Sequence, residues 1–537
     1  MIHVLMAALV TAQPASPMPG TPPTASPAPN ASPAPSASPV PNTTPTGPLS
    51  VSPTSVNLNP AQQRIVTVSG ATAPLTATLD GKLVNVTVDR AGASIAIDAS
   101  QATGSDVLHL TDAAGARADI PIRVAFNAGT IVPQTTLTVT GNPADPTWLA
   151  REVGNWVARL TQALPAAHVA VGSIEAPAQP LSPGAQQQFV VPVQIVSDGR
   201  YFDQSGSTTV TVQNVQAEPI VPTLLWYDDD PEHVSADGVL YRGTVNPADA
   251  VRLYYYHDNA ADARRIVVLL TTEAADPALV QMTDAPSGPN ADVMQVGHAV
   301  SRNFMLQRAR GEGIEVQVAQ GVPFTLRDAP MTSRQGVAGS VDLRVLSGGP
   351  VTVTVIAASP GVDARSLLGE TQLPDDGHQR TGVFRITGFG ADTLNYTAGA
   401  DDAKVVIGDR EPTPPSADPN ATGHDYGDYG VAHRVDLNLA NSGDVPATAY
   451  VYFRPIAGIA RASFLVDGNL VELGCVREPV PYQITSYTLQ PRQTAHSVVE
   501  TMTDGGSFYP VEIGVTATPP ASTTPPINAP DGCFPKP

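Results

Sequence analysis

Residues 224–270 read LLWYDDDPEHVSADGVLYRGTVNPADAVRLYYYHDNAADARRIVVLL, and this stretch decides how the rest of the chain is read. It opens as an apolar strand, breaks at the acidic run Asp228-Asp229-Asp230-Pro231-Glu232, and resumes with strand-like runs at 238–245, 251–257 and 265–270. β-branched and aromatic residues crowd those runs, while Asp, Asn, Gly and Pro separate them. That is the pattern of short strands between turns. The stretch also holds the densest group of polar side chains that could bind something.

Outward from it, the same pattern recurs along most of the 537 residues. A chain of this length exceeds a single core and predicts about three or four domains. The formal charge of −20 excludes a nucleic-acid partner, because no basic stripe offsets phosphate repulsion, and it disfavours anionic lipid. No run of about 20 apolar residues is present, so no transmembrane helix is expected.

The first 12 residues read as an export signal, with an apolar run at 5–10 and small residues at Val10-Thr11-Ala12. Residues 13–47 are a Pro/Ala/Ser/Thr tract without a charged side chain, expected to serve as an extended polyproline spacer. Six or seven short strands at 48–126 predict a β-sandwich. Its opening, Leu49-Ser-Val-Ser-Pro-Thr-Ser-Val-Asn-Leu-Asn-Pro, resembles the first strands of bacterial immunoglobulin-like modules of surface proteins.

Residues 129–217 are expected to form a small α+β domain. Asp145-Pro146 is a helix start, with Asp as N-cap and Pro at the first helical position. Leu149, Val153, Trp156, Leu160 and Leu164 follow at helical spacing. A large β domain is expected at 218–409, a Pro-rich linker at 410–422, a C-terminal β-sandwich at 423–518 and a Pro-rich tail at 519–537. The large and last domains resemble an uncharacterised type of exported bacterial β protein. The likeness rests on Tyr255-Tyr256-His257-Asp258-Asn259, Val296-Gly297-His298, Ser347-Gly348-Gly349-Pro350, His424-Asp425-Tyr426-Gly427-Asp428-Tyr429-Gly430 and Ala460-Arg461-Ala462-Ser463-Phe464. That resemblance implies a shared architecture and no particular activity.

Three sets of residues are candidates for chemistry. Asp228, Asp230 and Glu232 stand at alternate positions, as in the start of a calcium loop, so Ca2+ is the one cofactor the sequence suggests. The turn glycine of such a loop is missing, with His233 in its place, and a solvated acidic loop is the competing reading. Tyr426 and Tyr429, in the repeated Asp-Tyr-Gly, suit a polar aromatic binding loop or a tight turn. Cys475 and Cys533 are the only cysteines, and in an exported chain such a pair predicts a disulfide. His257-Asp258 and His424-Asp425 have no nucleophile beside them, and neighbours on a strand point to opposite faces. No G-x-S-x-G, H-E-x-x-H, Gly-rich phosphate loop or C-x-x-C occurs, so no catalytic residue is assigned.

The expectation is an all-β protein: several β-sandwich domains in tandem with one small α+β domain. It is secreted or held in the cell envelope, and it acts without catalysis as a structural or adhesive binding protein. The partner would be a protein or glycan at the cell surface, met by sheet edges and inter-strand loops. One rival is an array of carbohydrate-binding modules, which needs exposed aromatics in line. The other is a hydrolase on a sandwich scaffold, which needs carboxylates from separate strands about 5–9.5 Å apart.

Overall fold

The computed structural model describes residues 48–376, 381–409, 415–417, 424–521 and 533. The signal expected at 1–12 and the linker at 13–47 lie outside these residues, as do most of the 410–422 linker and of the 519–537 tail. The fold is all-β and multidomain, with 34 strands and two α-helices among the described residues. It divides into two compact units, with the second beginning at Val124 and also holding Gln101–Gly104.

The first unit is a sandwich of two four-stranded sheets. Alternation builds it: in Ser94–Ala99, Ile95 and Ile97 are fully buried while their neighbours are not. Leu108, Leu110, Ile120 and Ile122 close the core from the facing sheet. Asp112 ties one of its turns by accepting from the amides of Thr72, Ala114 and Ala116, and those bonds hold its pKa below the ordinary carboxylate value.

The second unit is organised by an eleven-stranded mixed sheet. Its path is His168–Val171, Gln186–Val196, Gln204–Val215, Gln134–Thr140, Gly313–Val318, Ala278–Asn290, Gly336–Ser347, Ala250–Asn259, Leu224–Asp228 and Gly382–Arg385. His233–Val234 adds beside Ala250–Asn259. Three pairs are parallel: Leu137 faces Val212, Trp226 faces Leu253, and His233 faces Asp258. This sheet runs straight through the boundary expected at 217/218, because Val139 pairs with Ile314. The expected small α+β domain is therefore the end of a larger layer and not a separate body.

One face of the sheet packs against α1 (Pro146–Leu160) and a four-stranded antiparallel sheet of Gly238–Val245, Val351–Ala358, Ala263–Thr271 and Phe324–Thr332. α1 starts as its sequence predicts: Asp145 accepts from the amides of Thr147 and Trp148, and Pro146 opens the first turn. Trp148, Leu149, Val153 and Val157 are its buried stripe. The opposite face packs against α2 (Val293–Arg310), which the sequence pattern does not reveal. Asp292 caps its start, and Gly311 ends it in the left-handed region at φ 66°.

Beyond α2 lies the C-terminal sandwich, with five strands in one sheet and four in the other. Ala391–Thr397 pairs in parallel with Ala432–Ala440, and Ala403–Ile407 pairs with Val511–Thr516. These two strands precede the Pro-rich boundary expected at 410–422 yet belong to the last domain. Cys475 and Cys533 form the expected disulfide, across a sequence separation of 58.

Candidate functional site

The pleat sorts the acidic run of the opening stretch. Along Leu224–Asp228, Leu225 and Tyr227 face α2, whereas Trp226 faces the other core, and Asp228 shares its side. Leu253 and Tyr255 on the neighbouring strand face that same core, and His257 follows at the same spacing. Asp228 thus meets His257, not its sequence neighbours: Nε2 of His257 lies 3.2 Å from Oδ2 of Asp228, and both side chains are 0% exposed. His257 Nδ1 donates to the Pro231 carbonyl at 3.0 Å. Burial opposes charging this ring, but the Asp228 carboxylate and the Pro231 carbonyl outweigh it and raise the pKa above the ordinary histidine value.

The other carboxylates of the run go elsewhere. Asp229 accepts from the Tyr227 hydroxyl at 2.9 Å. Asp230 accepts from the Asp376 amide, and burial raises its pKa. The Glu232 amide donates to the Asp376 carboxylate at 3.2 Å. Asp228, Asp230 and Glu232 therefore do not converge. Among the described residues no group of three or more His, Cys, Asp or Glu is placed to hold a metal ion, which corrects the calcium reading. A calcium loop needs its oxygens turned inward around one point, and here a strand end and a bend send them apart.

Tyr426 and Tyr429 also part company. Tyr426 is 50% exposed and stacks on His424, with ring centroids 5.0 Å apart. Tyr429 turns inward, donates its hydroxyl to the Ser507 carbonyl at 2.7 Å and stacks on Tyr227. Asp425, fully buried, accepts from the Tyr429 amide, and burial together with Asp428 lifts its pKa well above the carboxylate range. The repeated Asp-Tyr-Gly is thus the turn into Ala432–Ala440, and only Tyr426 is presented outward.

The densest polar cluster was not legible in the sequence. It lies where α2 meets the C-terminal sandwich. His298 Nδ1 is 2.6 Å from Asp504 Oδ2 and its Nε2 is 3.0 Å from Glu472 Oε1. A carboxylate on each ring nitrogen requires both to donate, so the ring is an imidazolium. Ser301 donates to the Thr503 carbonyl, and Arg461 reaches Asp292 at 2.8 Å and the sulfur of Cys533 at 3.1 Å. On the sheet side, Arg252 holds both oxygens of Asp342 at 2.7 and 3.1 Å and lies over the Phe304 ring. These groups pin the helix between two layers. His298, Asp504, Arg252 and Asp342 are each at most 3% exposed.

An open groove of about 490 Å³ lies on the other side of the sheet, between α1 and the edge strand His168–Val171. Ala150, Gly154 and Ala158 of α1 make its floor, one turn apart, and Val169 and Val171 make its wall. Arg151 brings the charge and Asn155 an amide. The sequence signal for it is small residues at every fourth position of a helix, followed by His168-Val-Ala-Val.

No family model matches the chain, and no curated protein matches it. Among solved structures, Drosophila N-cadherin EC1-4 is 15% identical over 30% of this chain and 47% of its own, with a TM-score of 0.14. The fibronectin(III)-like modules of Clostridium thermocellum CbhA are 10% identical over 31% of this chain and 94% of theirs, at 0.16. Bacteroides ovatus SGBP-B of the mixed-linkage glucan utilization locus, in complex with a mixed-linkage heptasaccharide, is 11% identical over 55% and 70%, at 0.12. The chain spans less than half the length of the cadherin structure. Likenesses this weak carry no argument about the function of this chain.

Proposed function

We propose that this is an exported, non-catalytic binding protein, structural or adhesive, working in the cell envelope or outside the cell on a protein or glycan partner. One observation carries the reading: the buried acid, base and charge pairs of the second unit hold its layers together. Asp228 with His257, His298 with Asp504 and Arg252 with Asp342 are all buried, beyond reach of a substrate in this fold. An accessible concave surface among the described residues is a groove of small side chains beside a sheet edge. The disulfide supports an oxidising compartment.

The test applies the intact protein to a glycan array and to immobilised envelope fractions, in parallel with chromogenic glycoside and ester substrates. Saturable binding without turnover is expected. Turnover that disappears in Asp228→Asn would overturn the reading.

A further inference from the structure

Resting on that reading, we propose that the free edge of the eleven-stranded sheet at His168–Val171 binds an extended peptide strand of a partner protein. The α1 groove beside it would select small side chains and one carboxylate. The hydrogen-bond pattern states which backbone groups are on offer. The Gly172 amide donates to the Pro192 carbonyl at 2.8 Å, and Val171 faces Val193 and Val169 faces Ile195 in antiparallel register. Antiparallel pairing alternates, so His168, Ala170 and Gly172 bond inward, and Val169 and Val171 turn their N–H and C=O outward. Among the described residues no strand or bridge pairs with that outer side.

At three other edges in this unit the chain covers itself. At the far end of the same sheet, Arg385 donates to the Pro415 carbonyl and Ala417 donates to the Val383 carbonyl. On the smaller sheet, Leu373 donates to the Val239 carbonyl at the Gly238–Val245 edge. In the C-terminal sandwich, Gln483 donates to the Ala521 carbonyl and Ala521 to that of Pro481. An exposed edge is a template for another strand; three are stitched shut, whereas this one, like Phe324–Thr332, Ala391–Thr397, Ala403–Ile407 and Asn469–Arg477, pairs on one side only, and it alone borders the α1 groove.

The groove states what kind of strand fits. Added beside Val169 and Val171, a strand would turn every second side chain under Ala150, Gly154 and Ala158. At Gly154 the room is already narrow, since even a Cβ there would sit 3.4 Å from Ile174 Cδ1. Only small side chains suit it. Arg151, exposed on a protein of net charge −20, makes no ion pair among the described residues; its guanidinium donates to the Gln307 side-chain oxygen at 3.3 Å. A carboxylate on the bound strand complements it. The edge is four residues, about 13 Å of extended chain. An edge this short matches a short extended segment, so the occupant is a peptide strand.

The test uses the full chain and fluorescence anisotropy. The probes are a fluorescein-labelled hexapeptide alternating threonine and alanine with one central glutamate, and its lysine counterpart. Two N-methylated forms of the glutamate peptide block the amides of one edge or the other. Saturable binding is expected, with one methylated form binding as the parent and the other about tenfold weaker, a loss matching a strand's lost hydrogen bonds. Val171→Pro should weaken binding about tenfold and leave the fold intact, since the N–H it removes faces the open edge. Arg151→Glu should shift preference from the glutamate to the lysine peptide by about tenfold. Should Val171→Pro fail to fold by circular dichroism, the methylated pair decides on the unmodified protein. Absent saturation, or equal binding of both methylated forms, overturns the inference. So does a wild-type dimer in sedimentation that Val171→Pro dissolves. A failed peptide with positive glycan or envelope binding defeats this inference alone, whereas turnover defeats the reading beneath it.

Discussion

His298→Gln should remove a pH-dependent part of the stability of the second unit. The imidazolium sits between Asp504 and Glu472, with Arg302 also on Glu472 and Ser463 beside the ring. Burial works against its charge, but Asp504 and then Glu472 more than offset that, and the pKa is pushed from 6.5 up to about 9. At 1.36 kcal/mol per pKa unit the difference is worth about 3 kcal/mol. A histidine pKa raised on folding contributes fully below pH 6.5, and that contribution is lost as pH rises through about 9. About 2 kcal/mol of it should fall between roughly pH 7.5 and 9.5. Asp284, Glu312 and Asp428, raised to about 7, have largely ionised by then and contribute little to the slope. His257 is raised in both proteins and cancels in the comparison. All three tryptophans, Trp148, Trp156 and Trp226, lie in the second unit, so their fluorescence in urea reports that unit alone. The wild type should lose about 2 kcal/mol more than His298→Gln across that window. Parallel pH profiles would refute the charged-histidine account, whatever the absolute stabilities.

Gly297→Ala would stabilise an exposed helix by about 1 kcal/mol, but here its Cβ would overlap the Gly505 carbonyl across the α2 contact. The expected sign is reversed, with a melting temperature several degrees lower. Replacing Cys475 and Cys533 by serine should cost about 4 kcal/mol in the chain-entropy account of a loop of this length, read by urea unfolding with and without reductant. Mass mapping that finds both thiols free in exported protein would remove the basis of that figure. Because Asp228, Asp230 and Glu232 do not converge, excess calcium and chelator should give the same melting temperature; a clear rise with calcium would contradict the geometry.

Local pattern made much of this fold readable, and non-local pairing hid the rest. The strand expected at 238–245 is present to the residue, and α1 begins at the Asp145 and Pro146 signal. The cysteines had one partner each and took it. α2 escaped because it is covered on two sides: Met294, Val300 and Phe304 are buried, but so are His298, Ser301 and Gln307. Those polar residues break the one-sided stripe that marks a surface helix. The boundary at 217/218 was misplaced because pairing between Gln134–Thr140 and Gly313–Val318 leaves no trace in composition. For the candidate site, sequence proximity suggested Asp228 with Asp230, whereas the pleat chose His257, 29 positions on. The groove went unread because small residues on a helix are usually only packing.

The eleven-stranded sheet sets a schedule for the growing chain. Thr138 pairs with Glu315, 177 residues further on. At the roughly 5–20 residues per second of synthesis, that partner follows about 9–35 s later. Gln204–Val215 arrives sooner and can dock in parallel on one side of Gln134–Thr140, leaving the other side bare in the interval. A nascent half-sheet of this kind is a target for holding chaperones, and a ribosome pause after residue 215 would lengthen its exposure.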